Sequence, residues 1–599
     1  MRNFCRLAGR NRAGATGIIT DCGLRRFSVN SKPADAPILQ IPRSSIYSLG
    51  AGSSSKPLFR DVSWTIQPQD AWTVLSVGAT SGKTSLLQAL LGHLKIHPPP
   101  PPPGGLFPFL NGADPYNRVS LVSFAHRPRG AGGGFVDFTA RYGAVREEDK
   151  RTLRETFFPE TARPIHNLAL PDMHSKEGTQ LTPIDQVKEH TRRLLFEDVI
   201  DRLDLRRLLD LPMIALSNGQ TRKARILKAL LEQPELLILD EPLTGLDVQT
   251  RQLVFSLLES LHNSSEPPHI IMGTRIQDPI PDWTTHLAIV HKDGTVQTGL
   301  KQELLPALQS HHSSFAQTSG HMPAIEIDKN EILVDLRNIS VAYGDRKVLK
   351  NIQWTIHANS RWHLLGANGA GKTTLLAMLT GEHPQSYTQS SKLHLFSRPR
   401  AKWPTPSLHA RIGRVSPEMH NAFPRRRGMS VWEAVGTAFT NNFVPRGRKR
   451  VGLAEDGSEL EENGELERWR VARMWHVLEG LGPTAWNSDA ADAGNKMATA
   501  KDFADQKFAD ISPGEQSVVL LMRALVNRPP LVLLDEAWAG MDERMVKAAR
   551  KYLRGGGGLE DGQACIVVTH WEEEVPWGWD DGVRRYHLID GEGRELPRP

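Results

Sequence analysis

Residues 362 to 374 carry the most explicit chemistry in the chain. Trp362-His363-Leu364-Leu365 has the pattern of a buried strand, and Gly366-Ala367-Asn368-Gly369-Ala370-Gly371-Lys372-Thr373-Thr374 follows, running into an apolar helix. This is the G-x-x-x-x-G-K-[ST] loop in a strand-to-helix setting, where glycines let the backbone curl until its N–H groups face phosphate oxygens. In that arrangement Lys372 reaches the β- and γ-phosphates and Thr373 ligates Mg2+. Downstream, the apolar strand Leu531-Val532-Leu533-Leu534 ends in Asp535-Glu536. Asp535 is placed to hold the metal through water, and Glu536 to orient and deprotonate the attacking water. Cys565-Ile566-Val567-Val568-Thr569-His570 is a further buried strand delivering a histidine. A lone histidine is usually structural, but one at a strand end after the Asp-Glu pair reads as a γ-phosphate contact. Ile511-Ser512-Pro513-Gly514-Glu515-Gln516 opens a helix containing Leu520, Leu521 and Leu525. Ser512 and the N–H groups after it make an anion site, one that the chain's own phosphate loop need not be using.

The elements that must position these groups occur twice. Phe59-Arg60-Asp61-Val62-Ser63-Trp64-Thr65-Ile66 is echoed by Leu349-Lys350-Asn351-Ile352-Gln353-Trp354-Thr355-Ile356, an offset of 290 residues. That period is far too long for a solenoid and marks a duplicated domain. Each copy begins with β-type alternation, passes through a Gly-rich loop into an apolar helix, and ends in strands and short helices. The order predicts an α/β fold with a mostly parallel core sheet. The predicted divisions are 35–305 for the first copy, 306–330 for a short polar linker and 331–595 for the second copy. Pro98 to Pro103, the glycines around Gly130 to Gly134, and Gly555 to Gly558 read as surface loop insertions.

Composition excludes several classes. No run of 18 uncharged apolar residues occurs, so no membrane-spanning helix is expected. Cys5, Cys22 and Cys565 are too few for a disulfide framework or a four-cysteine metal site; Cys565 reads as a small core residue. The net charge of +6 is held entirely by residues 1–32, where seven basic residues face only Asp21. The chain as a whole therefore gives no argument for a polyanion partner. Local basic runs, Arg425-Arg426-Arg427 and Arg446 to Arg450, read as solvated loops rather than nucleic-acid contacts. The Arg-rich, acid-poor start, with Arg25-Arg26-Phe27 before Ser28, fits a mitochondrial transit peptide over residues 1–27, a disordered basic tail being the other reading.

Phosphate loop, signature, Asp-Glu pair and strand-end histidine together resemble an ATP-binding cassette (ABC) ATPase domain. The first copy carries the same set in Gly82-Lys83-Thr84-Ser85, Leu216-Ser217-Asn218-Gly219-Gln220, and Leu236-Leu237-Ile238-Leu239-Asp240-Glu241. The resemblance covers the chain from about residue 35 to 590. It implies two tandem P-loop ATPase domains, each with a mostly parallel core sheet, an antiparallel β part and a helical subdomain. It also implies intramolecular pairing, in which each ATP lies between one cassette's phosphate loop and the other's signature, with Mg2+ held beside Thr373 and Asp535 or beside Thr84 and Asp240.

The two sites then draw on different motif sets. One combines Gly366 to Thr374, Asp535, Glu536 and His570 with Leu216 to Gln220; the family's usual Gln is replaced by Glu418, which can still contact Mg2+. Tyr343 stands where the family stacks an aromatic on adenine, a buried strand residue being the alternative. The other site combines Gly78-Ala79-Thr80-Ser81-Gly82-Lys83-Thr84-Ser85 with Ser512 to Gln516. Counting back from Lys83 puts Val77 and Thr80 at glycine places, whereas counting forward from Gly78 makes the loop one residue short. Either register strains the cradle. Arg275 stands at the histidine place, and the Gln place near Ser123-Phe124-Ala125-His126 holds Ala or His. Asp240 and Glu241 survive, so nucleotide binding with slow turnover is expected there.

The leading expectation is a soluble tandem ABC ATPase of the mitochondrial matrix, similar to the bacterial molybdate-associated tandem cassette proteins and their fungal relatives. An energy-coupling subunit docking on a separate membrane permease is a second reading, and a ribosome-associated ABC factor a third. Against the third, such factors join their cassettes by a long charged helical linker, and residues 305–330 are too short and polar for one.

Overall fold

A computed structural model describes residues 36–50, 56–77, 81–102, 104–124, 151–158, 183–211, 216, 218–264, 267–276, 278–291, 293–312, 328–343, 346–425, 428–439, 451, 453–454, 458–486, 496–555 and 557–598. The segment expected to be a transit peptide, Gly78, Ala79, Thr80, Ser217, the glycines at 130–134 and the basic residues at 426–427 and 446–450 lie outside the described residues.

The first copy supplies strands β1 (Leu39–Ser48), β2 (Phe59–Ile66), β3 (Trp72–Ser76), β4 (Leu94–His97), β5 (Val119–Ser123), β6 (Leu236–Asp240), β7 (His269–Gly273), β8 (His286–Val290) and β9 (Val296–Leu300). The second supplies β10 (Asp328–Tyr343), β11 (Arg346–Ala358), β12 (Arg361–Gly366), β13 (Leu393–Leu395), β14 (Arg398–Pro399), β15 (Ile412–Val415), β16 (Leu531–Asp535), β17 (Ala564–Val568), β18 (Arg584–Ile589) and β19 (Glu592–Leu596). The core sheets have the same order, β5-β6-β7-β3-β8-β9 and β15-β16-β17-β12-β18-β19. Each is parallel except for its last, antiparallel strand. Smaller antiparallel sheets, β2-β1-β4 and β11-β10-β13-β14, flank them. The duplication read from the Trp64 and Trp354 landmarks is therefore a duplication of topology.

Burial explains why these strands sit at the centre. Every residue of β6, β16 and β17 is buried, as expected of parallel strands covered on both faces. Cys565 lies in β17 with no exposed surface and is a core residue. In such sheets ligands gather beyond the carboxyl ends of the strands. Those ends carry Asp240, Asp535, the phosphate-loop glycines and the residues around His570.

A helical part precedes each signature. In the second copy Val431–Gly436, Glu465–Leu481 and Lys496–Asp505 pack with Pro513–Val526 around Val477, Leu478, Phe503, Phe508 and Leu521. Its entry helix begins with the expected capping box, Ser430 Oγ accepting from Glu433 N while Glu433 Oε2 accepts from Ser430 N. In the first copy Leu153–Phe157, Pro183–Arg202 and Asn218–Leu231 share a core with Phe196, Val199 and Leu227.

The stretch expected to be a linker from residue 306 begins as a helix. Lys301–His312 is helical and buries Leu304 and Leu308 against Leu75, Leu287 and Ile289 of the first copy. Strand β10 starts at Asp328, so only 313–327 lie between the described elements.

Candidate functional site

Strand β12 delivers the second phosphate loop. Gly366, Gly369 and Gly371 adopt φ of 155°, 86° and 101°, values that other residues resist. A side chain at Gly366 would place its Cβ 2.6 Å from the Leu588 carbonyl oxygen. The helix Lys372–Thr380 starts immediately after Gly371. Lys372 Nζ donates to the carbonyls of Gly366 at 2.6 Å and Ala367 at 3.1 Å, folding back over the loop it belongs to. Ala370 is buried, and Thr374 follows Thr373 in the first turn of the helix.

The first copy's signature presses on this loop. A Cβ at Gly219 would overlap Asn368 Nδ2, and one at Gly369 would lie 3.3 Å from Gln220 Nε2. Asn218, Gly219 and Gln220 form the first turn of the helix Asn218–Leu231, with Leu216 buried just before it. The N-terminal turn of that helix, the positive end of its dipole, thus lies beside the glycines that cradle phosphate. Two more first-copy residues close the contact. Asn368 N donates to Asp247 Oδ2 at 2.7 Å, and Asn368 Nδ2 to the Gly245 carbonyl at 3.4 Å. Sequence reasoning missed both, although Gly245-Leu246-Asp247 recurs as Gly540-Met541-Asp542.

Around the loop sit the groups that act on a γ-phosphate. Thr373, Ser416, Glu418, Arg414 and Asp535 line one pocket. Burial, then Glu418 and Glu536, hold Asp535 well above the usual carboxylate range. Burial also raises Glu536, against Arg222, with Glu418 adding to the rise. Such a group is suited to take a proton from water. Among the described residues no three His, Cys, Asp or Glu form a metal centre on their own. The donors present are a threonine hydroxyl and carboxylates that repel one another, a set that fits Mg2+ shared with phosphate oxygens. His570 Nε2 is buried, has no hydrogen-bond partner among the described residues, and lies 3.8 Å from Glu536 Oε1. Burial, then Lys372, pushes His570 down to about 3, so the ring is neutral.

Tyr343 is not a buried strand residue. It is 43% exposed at the end of β10, with its hydroxyl 3.0 Å from His383 Nε2.

The first phosphate loop is arranged differently. Ser76 pairs with Val290 as Gly366 pairs with Leu588. From those strand ends the lysine lies one residue further on in the first copy, a register that neither direction of counting suggested. The helix Ser81–Ala89 begins before Lys83, and Gly82 lies within it rather than at positive φ. Lys83 is buried and ion-paired to Glu241 Oε1 at 2.8 Å and Asp240 Oδ1 at 3.3 Å, while Thr84 Oγ1 donates to Asp240 at 2.8 Å. Burial raises Glu241, but Lys83 and then Arg275 outweigh it and hold the carboxyl down at about 2, opposite to Glu536. Ser85 continues the same helix. Ser123 pairs with Asp240, so counting on from β5 makes Ala125 the counterpart of Glu418; Ala125 itself lies outside the described residues.

The second signature is occupied by its own cap. Ser512 Oγ accepts from Glu515 N at 3.3 Å and Glu515 Oε2 accepts from Ser512 N at 2.8 Å. Pro513 opens the helix, and Gly514 packs against the Gly540 carbonyl. The helices Asn218–Leu231 and Pro513–Val526 align so that Glu515 stands where Gln220 does, one place before Gln516. Gln516 Oε1 accepts from Arg425 Nε at 3.2 Å, and the same guanidinium holds the carbonyls of His420 and Phe423. Arg425 is therefore a buttress of this signature rather than a solvated loop residue.

A family model for ABC transporters matches residues 139–244 and 349–539. The ABC transporter ATP-binding protein ModF of Escherichia coli is 31% identical over 426 residues, 67% of this chain and 77% of that protein. An uncharacterized ABC transporter ATP-binding protein of Schizosaccharomyces pombe is 29% identical over 541 residues, 89% of this chain and 95% of that one. A solved structure described as a model of ribosome-bound archaeal Pelota and ABCE1 shares the fold at a TM-score of 0.52, with 16% identity over 93% of this chain and 79% of that one. The chain belongs to the ABC family and is a tandem-cassette ATPase that binds and hydrolyses ATP. Among its described residues no helix is long and apolar enough to cross a membrane.

Proposed function

We propose that hydrolysis runs at one productive site, between the phosphate loop Gly366 to Thr374 and the signature Leu216 to Gln220. The observation that carries this reading is the contrast between the two lysines. Lys372 folds over its own loop beside the partner signature, whereas Lys83 is held by Asp240 and Glu241. In the productive site Lys372 and the loop N–H groups bind the β- and γ-phosphates. Thr373, Asp535 and Glu418 hold Mg2+, which when bound neutralises charge on the phosphate oxygens. Glu536 takes the proton of the attacking water, and neutral His570 donates from Nε2 to the γ-phosphate. Tyr343 offers its exposed ring to adenine. Closing the signature and the Gly245 to Asp247 turn over the loop excludes water and couples ATP occupancy to the pairing of the cassettes.

The load is a separate question. The basic start of the chain supports import into the mitochondrial matrix, with a mature end near Ser28. A permease partner is the alternative suggested by the names of the transporter ATP-binding relatives. The productive-site reading is tested by mixing protein with a stoichiometric excess of Mg-ATP and counting the ATP hydrolysed per chain in the first turnover. One fast hydrolysis per chain is expected; two at equal rate would contradict it.

A further inference from the structure

The chain on either side of His570 is braced by groups that reach the first cassette. The flanking residues, Thr569 and Trp571, both meet groups that lead to the first copy. The Arg251 guanidinium lies 3.9 Å from the centroid of the Trp571 ring, and Arg251 Nε donates to the Leu246 carbonyl at 2.9 Å, in the turn that touches Asn368. Thr569 Oγ1 donates to Glu574 Oε2, and Trp571 N donates to Thr569 Oγ1 at 3.3 Å. The other oxygen, Glu574 Oε1, is buried, has no hydrogen-bond partner among the described residues, and lies 4.0 Å from Arg275 Nη1. Arg275 is fixed in turn by Asp278, with Nη2 to Oδ1 at 2.9 Å and Nε to Oδ2 at 3.1 Å. All of these side chains are largely buried, Arg275 at 7% and Asp278 at 1% exposure.

Arg275 occupies the strand-end place at which the second copy carries His570. The cation there reaches toward the partner cassette and is locked by a bidentate carboxylate, Asp278. We infer that Arg275 is a positioning residue for the opposite site, fixing His570 through Glu574 and Thr569 while Arg251 braces Trp571. The first cassette thereby contributes more than a signature to the productive site. It also sets the orientation of the histidine that meets the γ-phosphate, and a cassette whose own hydrolysis is weak still controls turnover in its partner. This inference rests on the reading of His570 given above.

Steady-state ATPase of Arg275→Met, Arg275→Lys, Glu574→Gln, His570→Ala and the double variant Arg275→Met/His570→Ala tests it, with thermal melts run in parallel. Arg275→Met should lower kcat about tenfold and leave KM for ATP within about twofold, because Lys372, Thr373 and the loop N–H groups stay in place while the orientation of His570 is lost. Glu574→Gln keeps an acceptor for Thr569 but removes the charge, and should show the same split. Arg275→Lys keeps the charge and should recover part of the rate, which a general packing role would not require. The double variant should be no slower than His570→Ala alone. Losses that multiply in the double variant, or wild-type kcat in both Arg275→Met and Glu574→Gln, would overturn the inference. If Arg275→Met does not fold, Glu574→Gln combined with His570→Ala supplies the same comparison. A wild-type rate in His570→Ala would instead refute the role given to the histidine itself.

Discussion

Asp247 Oδ2 accepts the main-chain N–H of Asn368 at 2.7 Å, so a carboxylate of the first cassette completes the phosphate loop of the second. The same side chain caps its own helix, Oδ1 accepting from Thr250 N at 2.7 Å. Asp247→Asn separates the two duties. The carbonyl oxygen still caps, but the amide nitrogen turns a donor toward the Asn368 N–H. A hydrogen bond to a charged group contributes about 1.5–3 kcal/mol, so ATPase should fall about tenfold or more while the melting temperature stays near that of wild type. An unchanged rate would remove the cross-cassette bond from the account.

Gly219 of the first signature faces Asn368 of the second loop. Its missing Cβ leaves room for Asn368 Nδ2. Gly219→Ala should leave each cassette folded, since alanine suits a helix interior, and should block closure. The expected result is ATPase lowered by more than tenfold with an unchanged far-ultraviolet spectrum.

The two lysines should separate stability from turnover. Lys83 is buried against Asp240 and Glu241, and removing one partner of a buried pair costs about 3–5 kcal/mol because charge is left uncompensated. Lys83→Met should therefore lower the unfolding free energy by several kcal/mol and leave most ATPase in the fraction that folds. Lys372→Met should do the reverse, since Lys372 donates to loop carbonyls rather than to a buried carboxylate. Chemical denaturation and ATPase of the two variants check this.

Buried neutral histidines set a pH dependence. Burial holds His363 down at about 4 from an ordinary value of 6.5. Between those values the unfolded chain binds the proton and the folded chain does not, so stability rises with pH across the window and is lost as pH falls through it. At pH 5 the loss from this residue is about 2 kcal/mol relative to neutral pH. His363→Gln should flatten the fall in melting temperature between pH 7 and pH 5; a slope equal to wild type would contradict the assignment.

How much of this was legible depended on how far apart the interacting residues lie in the chain. The second phosphate loop, Asp535-Glu536 and the Ser430 capping box are contiguous patterns whose geometry is local, and the structure forms the loop and the cap as read. The parallel sheet was legible from apolar runs such as Leu236 to Leu239 and Leu531 to Leu534. The helix Lys301–His312 was not, because Pro306 and the polar run after it hide the spacing of Leu304 and Leu308, which pack on the first copy's sheet. Counting residues left two registers open for the first phosphate loop; pairing Ser76 with Val290 fixes another. Asp247, Arg251 and Glu574 were missed because they act across the two cassettes: the recurrence of Gly245-Leu246-Asp247 as Gly540-Met541-Asp542 marks a turn without showing what it touches, and Arg251 and Glu574 read as surface charges. The opposite shifts of Glu241 and Glu536 were likewise invisible, since they arise from where Lys83, Arg275 and Arg222 lie in space.

The central claim is that Glu536 and Glu241, equivalent in sequence, are unequal in chemistry. Steady-state ATPase of Glu536→Gln and Glu241→Gln, prepared in parallel, tests it most directly. The account predicts that Glu536→Gln loses nearly all turnover, on the order of a hundredfold or more, while Glu241→Gln keeps most of it. Equal losses in the two variants would contradict it.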